Sequence, residues 1–298
     1  MSAATQKGMA VIGALLVVAA TSVATAAILE RQNLLADTLI GERDRVQARW
    51  LLRGGVDWAR VILQNDARHN AVTLRSAIWA QPIAGLEVRT PDGSRSALFS
   101  GLVEDEQGKF NLTRLAVGGE VRAAELAALE RLLNSLGLPT SIAPAIAVRV
   151  AQTQAGPGRA PVAVGLRSVE DLVALDGIDR RTVAILAEYL TVLPQSTPLN
   201  LNTASAEVLS VAVPGLDLAT ARQLVEERER GHWFTSRGDF LNRLGDAVTE
   251  GTRQALLDVR SDWFKVSGDV RLEHAQVGMA ALLNRQGNAP PNLIWMRG

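Results

Sequence analysis

Cysteine is absent from the 298 residues. That excludes disulfides and thiolate metal sites, and leaves the compartment open, because secreted and periplasmic chains also do without them. Net charge is absent too, since 31 Lys and Arg balance 31 Asp and Glu. No overall basic field draws the chain to nucleic acid. Catalytic signatures are missing as well. His69, His232 and His274 are isolated, with no His-Glu-x-x-His or Gly-x-Ser-x-Gly setting around them. There is no Walker loop and no paired-glycine dinucleotide fingerprint. The histidines read as surface or packing residues, and the chain as a non-enzyme.

Charge is missing most conspicuously from Gly8 to Leu29. About 20 apolar residues suffice for a helix to cross a bilayer. Thr21, Ser22 and Thr25 interrupt the run, but a helix can return their hydroxyls to its own carbonyls. A single membrane-crossing helix is expected. Before it stands only Met1-Ser2-Ala3-Ala4-Thr5-Gln6-Lys7-Gly8. Lys7-Gly8-Met9 fits a class III, prepilin-type leader, cut after Gly8, with Met9 as the first mature residue and a target for methylation. The apolar helix is then kept. The alternative is a secretory signal cut near Ala24-Thr25-Ala26. Lys7 precedes the helix and the charges after it nearly cancel, which favours an N-terminus inside and the bulk of the chain outside.

No proline occurs from Glu30 to Asn65. Leu35, Leu39, Val46, Trp50, Trp58 and Ile62 recur at helical spacing. This predicts one long helix leaving the membrane, its outer half packed on a globular head, with Trp50 and Trp58 in the core. The stripe Leu35, Leu39, Val46 is long for the free helix of a monomer and marks a surface for partner helices. Gly54-Gly55 is a weak point, or a place where a strand crosses closely. Strands follow at Leu86–Arg89 and Ala97–Val103, joined by a turn at Thr90-Pro91-Asp92-Gly93. An acidic turn, Glu104-Asp105-Glu106-Gln107-Gly108, precedes a short extended piece at Lys109–Thr113.

From about Val121 to Asp258 the chain is rich in Ala and Leu. It breaks into helical segments at Val121–Leu136, Ile142–Gln152, Val169–Leu175, Arg180–Leu193, Ala204–Val211, Ala219–Glu229, Arg237–Leu244 and Glu250–Val259. A Pro/Gly-rich linker, Ala155 to Pro161, separates the first pair from the rest. A repeat of period 38 lies inside. Val173-Ala174-Leu175-Asp176-Gly177-Ile178-Asp179 matches Val211-Ala212-Val213-Pro214-Gly215-Leu216-Asp217. Each copy reads as helix, glycine hairpin, helix, with Asp179 and Asp217 as N-caps. Strand signals return at Trp263–Arg271, His274–Asn284 and Asn292–Arg297. The expected fold is therefore α+β: a long pilin-like transmembrane helix on an antiparallel sheet, with a large all-α domain inserted between strands.

Two candidate chemistries remain. Glu104-Asp105-Glu106 beside Asn111 could offer oxygen ligands to calcium, but lacks the regular Asp-x-Asp-x-Asp-Gly loop, and a solvated turn is the plainer reading. The hairpins, with Asn200-Leu201-Asn202-Thr203-Ala204 and Gly231-His232-Trp233-Phe234, resemble the helix-hairpin-helix modules of membrane-anchored competence DNA receptors. Such hairpins hold phosphate with free backbone N–H groups. Asp179 and Asp217 would occupy those donors and repel phosphate, so no nucleic acid partner is expected.

Taken in order, several features resemble the K-type minor pseudopilins of bacterial type II secretion systems. They are Lys7-Gly8-Met9; Gly13 at the fifth mature position, where most pilins and pseudopilins carry glutamate; and Ala48-Arg49-Trp50 through Trp58-Ala59-Arg60. Asp105-Glu106-Gln107-Gly108-Lys109-Phe110-Asn111-Leu112, Asn200 to Ala204, and Ser261 to Arg271 complete the set. The resemblance implies a leader at 1–8, a transmembrane helix at 9–29, a pilin-like helix and first strands at 30–115, an inserted α-domain at 116–260 and closing strands at 261–298. It implies a place at the tip of a periplasmic pseudopilus, anchored in the inner membrane. Partners would be the I- and J-type minor pseudopilins, other secretion components and the prepilin peptidase. Some relatives bind calcium; the resemblance carries no ligand residue over to this chain.

Overall fold

The computed structural model describes residues 3–89, 96–245 and 248–298, with side chains from residue 11 onward. The expected turn Thr90-Pro91-Asp92-Gly93 lies outside the described residues. In chain order the elements are α1 (Ala3–His69), β1 (Ile83–Arg89), β2 (Ser96–Asp105), β3 (Phe110–Asn111), β4 (Ala116–Val117) and β5 (Glu120–Val121). Helices α2 (Ala123–Ser135), α3 (Ile142–Ala151) and α4 (Arg180–Tyr189) follow, then β6 (Leu190–Thr191), β7 (Leu199–Asn200), α5 (Ala206–Ala212), α6 (Leu218–Glu229), α7 (Arg237–Leu244) and α8 (Glu250–Gln254). The chain closes with β8 (Leu257–Asp258), β9 (Trp263–Arg271), β10 (Gln276–Asn284) and β11 (Asn292–Arg297).

The main sheet has the order β1-β2-β9-β10-β11. Its neighbours β2 and β9 are separated in sequence by the entire helical region, which is the expected insertion in an α+β fold. β10 and β11 pair antiparallel, Ala280 with Arg297 and Asn284 with Asn292, with a register shift between Leu282 and Leu283.

Helix α1 forms as its composition dictates. With no proline past the apolar run, every backbone donor can stay in the ladder. The hydroxyls of Thr21, Ser22 and Thr25 donate to the carbonyls of Val17, Val18 and Thr21 at 2.8–2.9 Å. The helix carries a window of mean hydropathy 2.3, none of it buried, as expected of a membrane anchor.

The face that α1 buries is not the expected one. Ala48, Leu52, Val56, Ala59, Leu63 and Ala67 are buried, at steps of three and four. Trp50 and Trp58, expected in the core, are 66% and 48% exposed. Small residues alternate with larger ones on the buried face, so other elements can approach closely, and the bulky indoles fall on different faces. α1 also runs through Gly54-Gly55 without interruption. A Cβ added at Gly54 would meet nothing within 4 Å, so no strand crosses closely at Gly54 itself.

Two compact units can be described separately. The first comprises Met1–Gly54, Ala84–Ser100 and Asp269–Met279. Its core sets Ala48 and Leu52 of α1 against Ala97, Val270 and Leu272, with Phe99, Val277 and Met279 around them. Asp44 is fully buried, with the His274 ring at 3.4 Å.

The second unit, Gly55–Ile83, Gly101–Gly268 and Ala280–Gly298, contains α2 to α8. Its large core includes Leu129, Leu132, Leu133, Ile146, Leu172, Leu186, Leu209, Phe234 and Phe240, the last two ring edge to face at 5.1 Å. Two expected helices are shorter than their pattern. The one expected to end at Leu193 stops at Tyr189, because Leu190 and Thr191 pair in parallel with Phe110 and Asn111. The one expected to reach Val259 stops at Gln254, because Leu257 and Asp258 pair with Leu199 and Asn200. Val169–Ala174 is a 3₁₀ turn with a capping box on Ser168 and Asp171, not an α-helix. In the two shortened helices local propensity lost to pairing with a distant segment.

Candidate functional site

Two features stand out chemically, one exposed and one buried. The exposed one lies on α1. Leu35, Leu39 and Val46, expected to meet partner helices, are 56%, 69% and 49% exposed. Trp50, which the sequence reading assigned to the core, extends the same face four residues on, with the Arg53 guanidinium 6.0 Å from its ring centre. Glu42 and Arg45 form an ion pair on the helix surface beside it. Large apolar side chains exposed in such a row make this face a candidate association surface. Gly8 and Met9 fall in the first turns of α1, with side chains outside the described set. Nothing lies within 4 Å of a Cβ built at Gly13.

The buried feature is a polar junction where three of the segments quoted above converge. Asp105 ends β2 and is 8% exposed. One of its carboxylate oxygens accepts from the Gln107 backbone N–H at 2.8 Å. The other accepts from Asn200 Nδ2 at 2.9 Å, Thr203 Oγ1 at 2.5 Å and Ser261 Oγ at 2.6 Å. Burial pushes the Asp105 carboxyl up, against the pull of the bonds from Ser261, Thr203, the Gln107 backbone and Asn200. Gly108 is required here, since a Cβ on it would stand 2.7 Å from Thr203 Oγ1 and 3.0 Å from Thr203 backbone carbon.

Around this centre most buried polar side chains are engaged, as burial without water favours. Gln107 spans from Pro198 to Asp262, donating to the carbonyl of one at 3.0 Å and accepting from the N–H of the other at 2.6 Å. Asn111 accepts from Thr113 and Leu193 backbone N–H groups at 3.1 and 3.2 Å. Asn202 pairs like a strand residue with Phe234, giving one bond at 2.9 Å and taking one at 2.8 Å. Arg228 donates to the carbonyls of Leu201 and Ala204 at 2.9 and 2.7 Å. Arg285 meets Asp66 at 2.9 Å, Thr73 Oγ1 at 3.0 Å and the Ser261 carbonyl at 2.6 Å, and lies over Phe264 at 4.9 Å. Arg285, Asp66 and Thr73 gave no signal in the sequence, because each stands alone among residues of other types. Only Asp66 with Asn70, bonded at 2.8 Å one helical turn apart, was within reach of a spacing argument.

The acidic run does not fit calcium, and it is not a solvated turn either. Asp105 has both oxygens engaged within the chain. Glu104 and Glu106 close on the Lys109 ammonium at 3.3 and 2.8 Å. Glu106 also accepts from Thr191 Oγ1 at 2.5 Å. Burial alone would lower the Lys109 pKa, but Glu106 and Glu104 outweigh it and hold the ammonium charged. A divalent ion would have to displace that ammonium. Among the described residues no group of three or more His, Asp and Glu could hold a metal.

The two hairpins carry the expected caps. Asp179 accepts from the Thr182 N–H at 2.7 Å and Asp217 from the Thr220 N–H at 2.9 Å. These bonds hold both carboxyls below the usual aspartate range. At each hairpin one helix-start donor is therefore already taken, and its partner is an anion that also disfavours phosphate.

Two family models match the chain. One, described as type II secretion system (T2SS), protein K, covers residues 199–260; a companion of the same description covers residues 108–195. Together they span half of the chain. The chain belongs to the type II secretion system protein K family. This is the family of K-type minor pseudopilins that the sequence resembles. The matched stretches hold Asn200 and Thr203 of the junction, while Asp105, Gln107 and Ser261 fall just outside them. Relatives named type II secretion system protein K occur in Pseudomonas aeruginosa, 28% identical with 94% of this chain and 89% of that one aligned, and in Pectobacterium carotovorum, 27% identical with 95% and 93% aligned. The fold is also that of a solved chain in the GspK-GspI-GspJ complex from the enterotoxigenic Escherichia coli type 2 secretion system. That match has a TM-score of 0.64 at 17% identity and covers 86% of this chain and 97% of the other. Among the described residues α1 is the one helix long and apolar enough to cross a membrane, which fits a single-pass N-terminal anchor in this protein K family member.

Proposed function

We propose that the protein is the tip subunit of a type II secretion pseudopilus. It supports initiation of the pseudopilus and export of proteins across the outer membrane, and does so as a structural part without catalysis. The observation that carries this reading is the uncovered apolar row Leu35, Leu39, Val46 on a helix anchored in the membrane. Burying each such side chain is worth about 1.5–3 kcal/mol, so helices of other subunits are the natural cover. The I- and J-type minor pseudopilins are the proposed partners, in line with the composition of the complex that holds the structural neighbour. Residues 30–115 and 261–298 then form the pilin-like head, with 116–260 the inserted α-domain, all in the periplasm.

The same reading assigns Gly8 and Met9 to processing by the prepilin peptidase, with cleavage after Gly8 and methylation of Met9. Gly13 supports a position with no subunit above, because glycine offers no carboxylate to pair with a neighbour's terminal ammonium. A buried carboxylate at that depth is costly in lipid unless it is paired. Other secretion components are met from this tip.

The test is the mature N-terminus together with the complex. Mass and N-terminal sequence of the membrane-extracted protein should begin at Met9, and Gly8→Ala should leave the full-length chain. A chain starting near Ala27 overturns the assignment. Detergent-extracted protein should co-purify with both partners as a discrete one-to-one-to-one species. A homopolymer, or a folded protein that ignores both, refutes the tip reading.

A further inference from the structure

The second unit contains an open sheet edge. β11 is the last strand of the main sheet and pairs on one side only, with β10. Along its other side the main-chain N–H and C=O groups have no hydrogen-bond partner among the described residues. Leu293 and Ile294 on this strand are 42% and 44% exposed. A row of alternating donors and acceptors in strand geometry is complementary to the main chain of another strand. The opposite edge shows what protection against such pairing looks like. β1 is kinked at Gly85, whose φ is +61°, and carries the Glu87–Arg89 ion pair at 2.9 Å. Kinks and charges deter strand addition. β11 runs Leu293-Ile294-Trp295-Met296 without a charge.

Trp295 of this strand also lines a cleft of about 330 Å³, whose apolar walls include Leu112, Val150, Leu166 and Leu193. That volume lies within the range of roughly 300–1,000 Å³ in which ligand sites fall. Trp295 shares a sheet face with Leu282, its cross-strand partner, and both belong to the cluster around Leu193 and Trp263. Side chains alternate along a strand, so every second side chain of a strand added to β11 falls on this face, beside the cleft. Arg167 is the one charged residue lining it. It is exposed and has no ion-pair partner among the described residues. The site therefore asks for apolar side chains at alternate positions with a carboxylate in the same row. A second copy of this chain meets those demands poorly. Trp295 pairs with Leu282 and Leu293 with Leu283, which leaves Ile294 as a bulge. Antiparallel self-pairing would set two such bulges near the centre of the ladder, where each disrupts bonding. β11 also contains no acid to meet Arg167.

We propose that the free edge of β11 takes up an extended segment of another protein as an added strand. The main chain of that segment pairs with β11. Its alternate apolar side chains lie over the cleft beside Trp295, and an acidic side chain in the same row meets Arg167. Main-chain pairing supplies the affinity, and the cleft and Arg167 supply the selectivity. The inference stands on this edge alone and does not depend on the tip assignment.

The experiment uses the full chain in detergent micelles and follows amide hydrogen exchange by mass spectrometry. The probe is the capped hexapeptide acetyl-Thr-Val-Thr-Leu-Thr-Glu-amide, which presents Val, Leu and Glu on one face. It should slow exchange in β11 saturably and leave β1 unchanged. Two N-methylated forms test main-chain pairing without altering the protein. One is methylated on the three Thr amides, the other on the Val, Leu and Glu amides. Each loses the donors of one strand edge, so one form should bind and the other should not. Replacing the probe's Glu by Lys should weaken binding about fivefold, the scale of an exposed charge pair, and Arg167→Glu should reverse that preference. Ile294→Lys, a charge on the open edge, should abolish protection while the urea midpoint stays in place. The proposal is wrong if the probe leaves β11 unprotected, if both methylated forms bind or both fail, or if the Lys probe binds as well as the Glu probe. It is also wrong if sedimentation shows a dimer of the full chain that Ile294→Lys splits, since the edge then belongs to a second copy.

Discussion

The outer part of α1 and the Asp105 junction reverse the usual placement of side chains. On α1, Leu39 and Trp50 stand in the open; at the junction, Asp105, Asp66 and Arg285 are buried. Both arrangements are costly for an isolated chain, and they call for different remedies. The junction is satisfied from within, because every charge there has a partner drawn from a distant segment. The stripe has no internal remedy, because none of the described residues covers it. The contrast separates what holds this fold together from what the fold presents to others. A buried, fully bonded polar group specifies one arrangement of segments. An uncovered apolar row is left for something outside the fold to cover, and the proposed function assigns it to partner helices.

The sharpest break of the buried side is Arg285→Ala, which leaves Asp66 charged and unpaired. The expected loss is about 3–5 kcal/mol of stability, read as a lowered denaturation midpoint in urea, with no change in DNA or partner surfaces as such. The exposed side is broken by Leu39→Asp. Its expected effect is about tenfold or more on association with the partner pseudopilins, from roughly 1.5–3 kcal/mol of lost apolar burial, with an unchanged urea midpoint. If Leu39→Asp destabilises the isolated protein as Arg285→Ala does, the contrast between the two regions fails.

A smaller effect is expected at the surface cluster of Glu170, Lys265 and Arg297, bonded at 3.3 and 2.9 Å. Burial works to raise the Glu170 pKa, but Ser168 and Lys265 prevail and bring it to about 2 from an ordinary 4.5. A depressed carboxyl stabilises the fold above its unfolded pKa, and that contribution is lost as pH falls from about 4.5 towards 2. Because Glu170 is 44% exposed, the amount is below about 1 kcal/mol. Glu170→Gln should flatten the acid limb of the stability curve by that amount, followed by circular dichroism melts at pH 5 and pH 3. The smallest expected effect is none at all: the protein should not retain duplex DNA even at low salt, where counterion release makes such binding strongest. A clear low-salt mobility shift would show that the capped hairpins still offer donors to phosphate.

Much of the architecture was legible because it is local. Period and the absence of proline marked α1, and the hydroxyl bonds at Thr21, Ser22 and Thr25 formed as that period demands. The 38-residue repeat located both hairpins and their caps, since an N-cap depends on residues only three apart. Arg237–Leu244 and the strands at Trp263–Arg271 and Asn292–Arg297 were bounded by their own residues. The sequence could also show that α1 has an apolar stripe at helical spacing, but not which of its faces is buried. That was settled by Ala48, Leu52 and their successors meeting other elements, a contest between two faces that local periodicity cannot score.

The rest was decided at long range. Whether Leu190-Thr191 ended a helix or began a strand depended on Phe110-Asn111, about eighty positions away in the chain. Whether Glu104-Asp105-Glu106 was a solvated turn, an ion loop or a buried hub depended on Asn200, Thr203, Ser261 and Lys109 arriving around it. By itself the sequence determined the membrane helix, the helical hairpins and their caps, because propensity, capping and hydropathy act within a few residues. Tertiary structure alone decided the burial of Asp105 and Arg285 and the exposure of Trp50, because desolvation depends on which distant segments exclude the water.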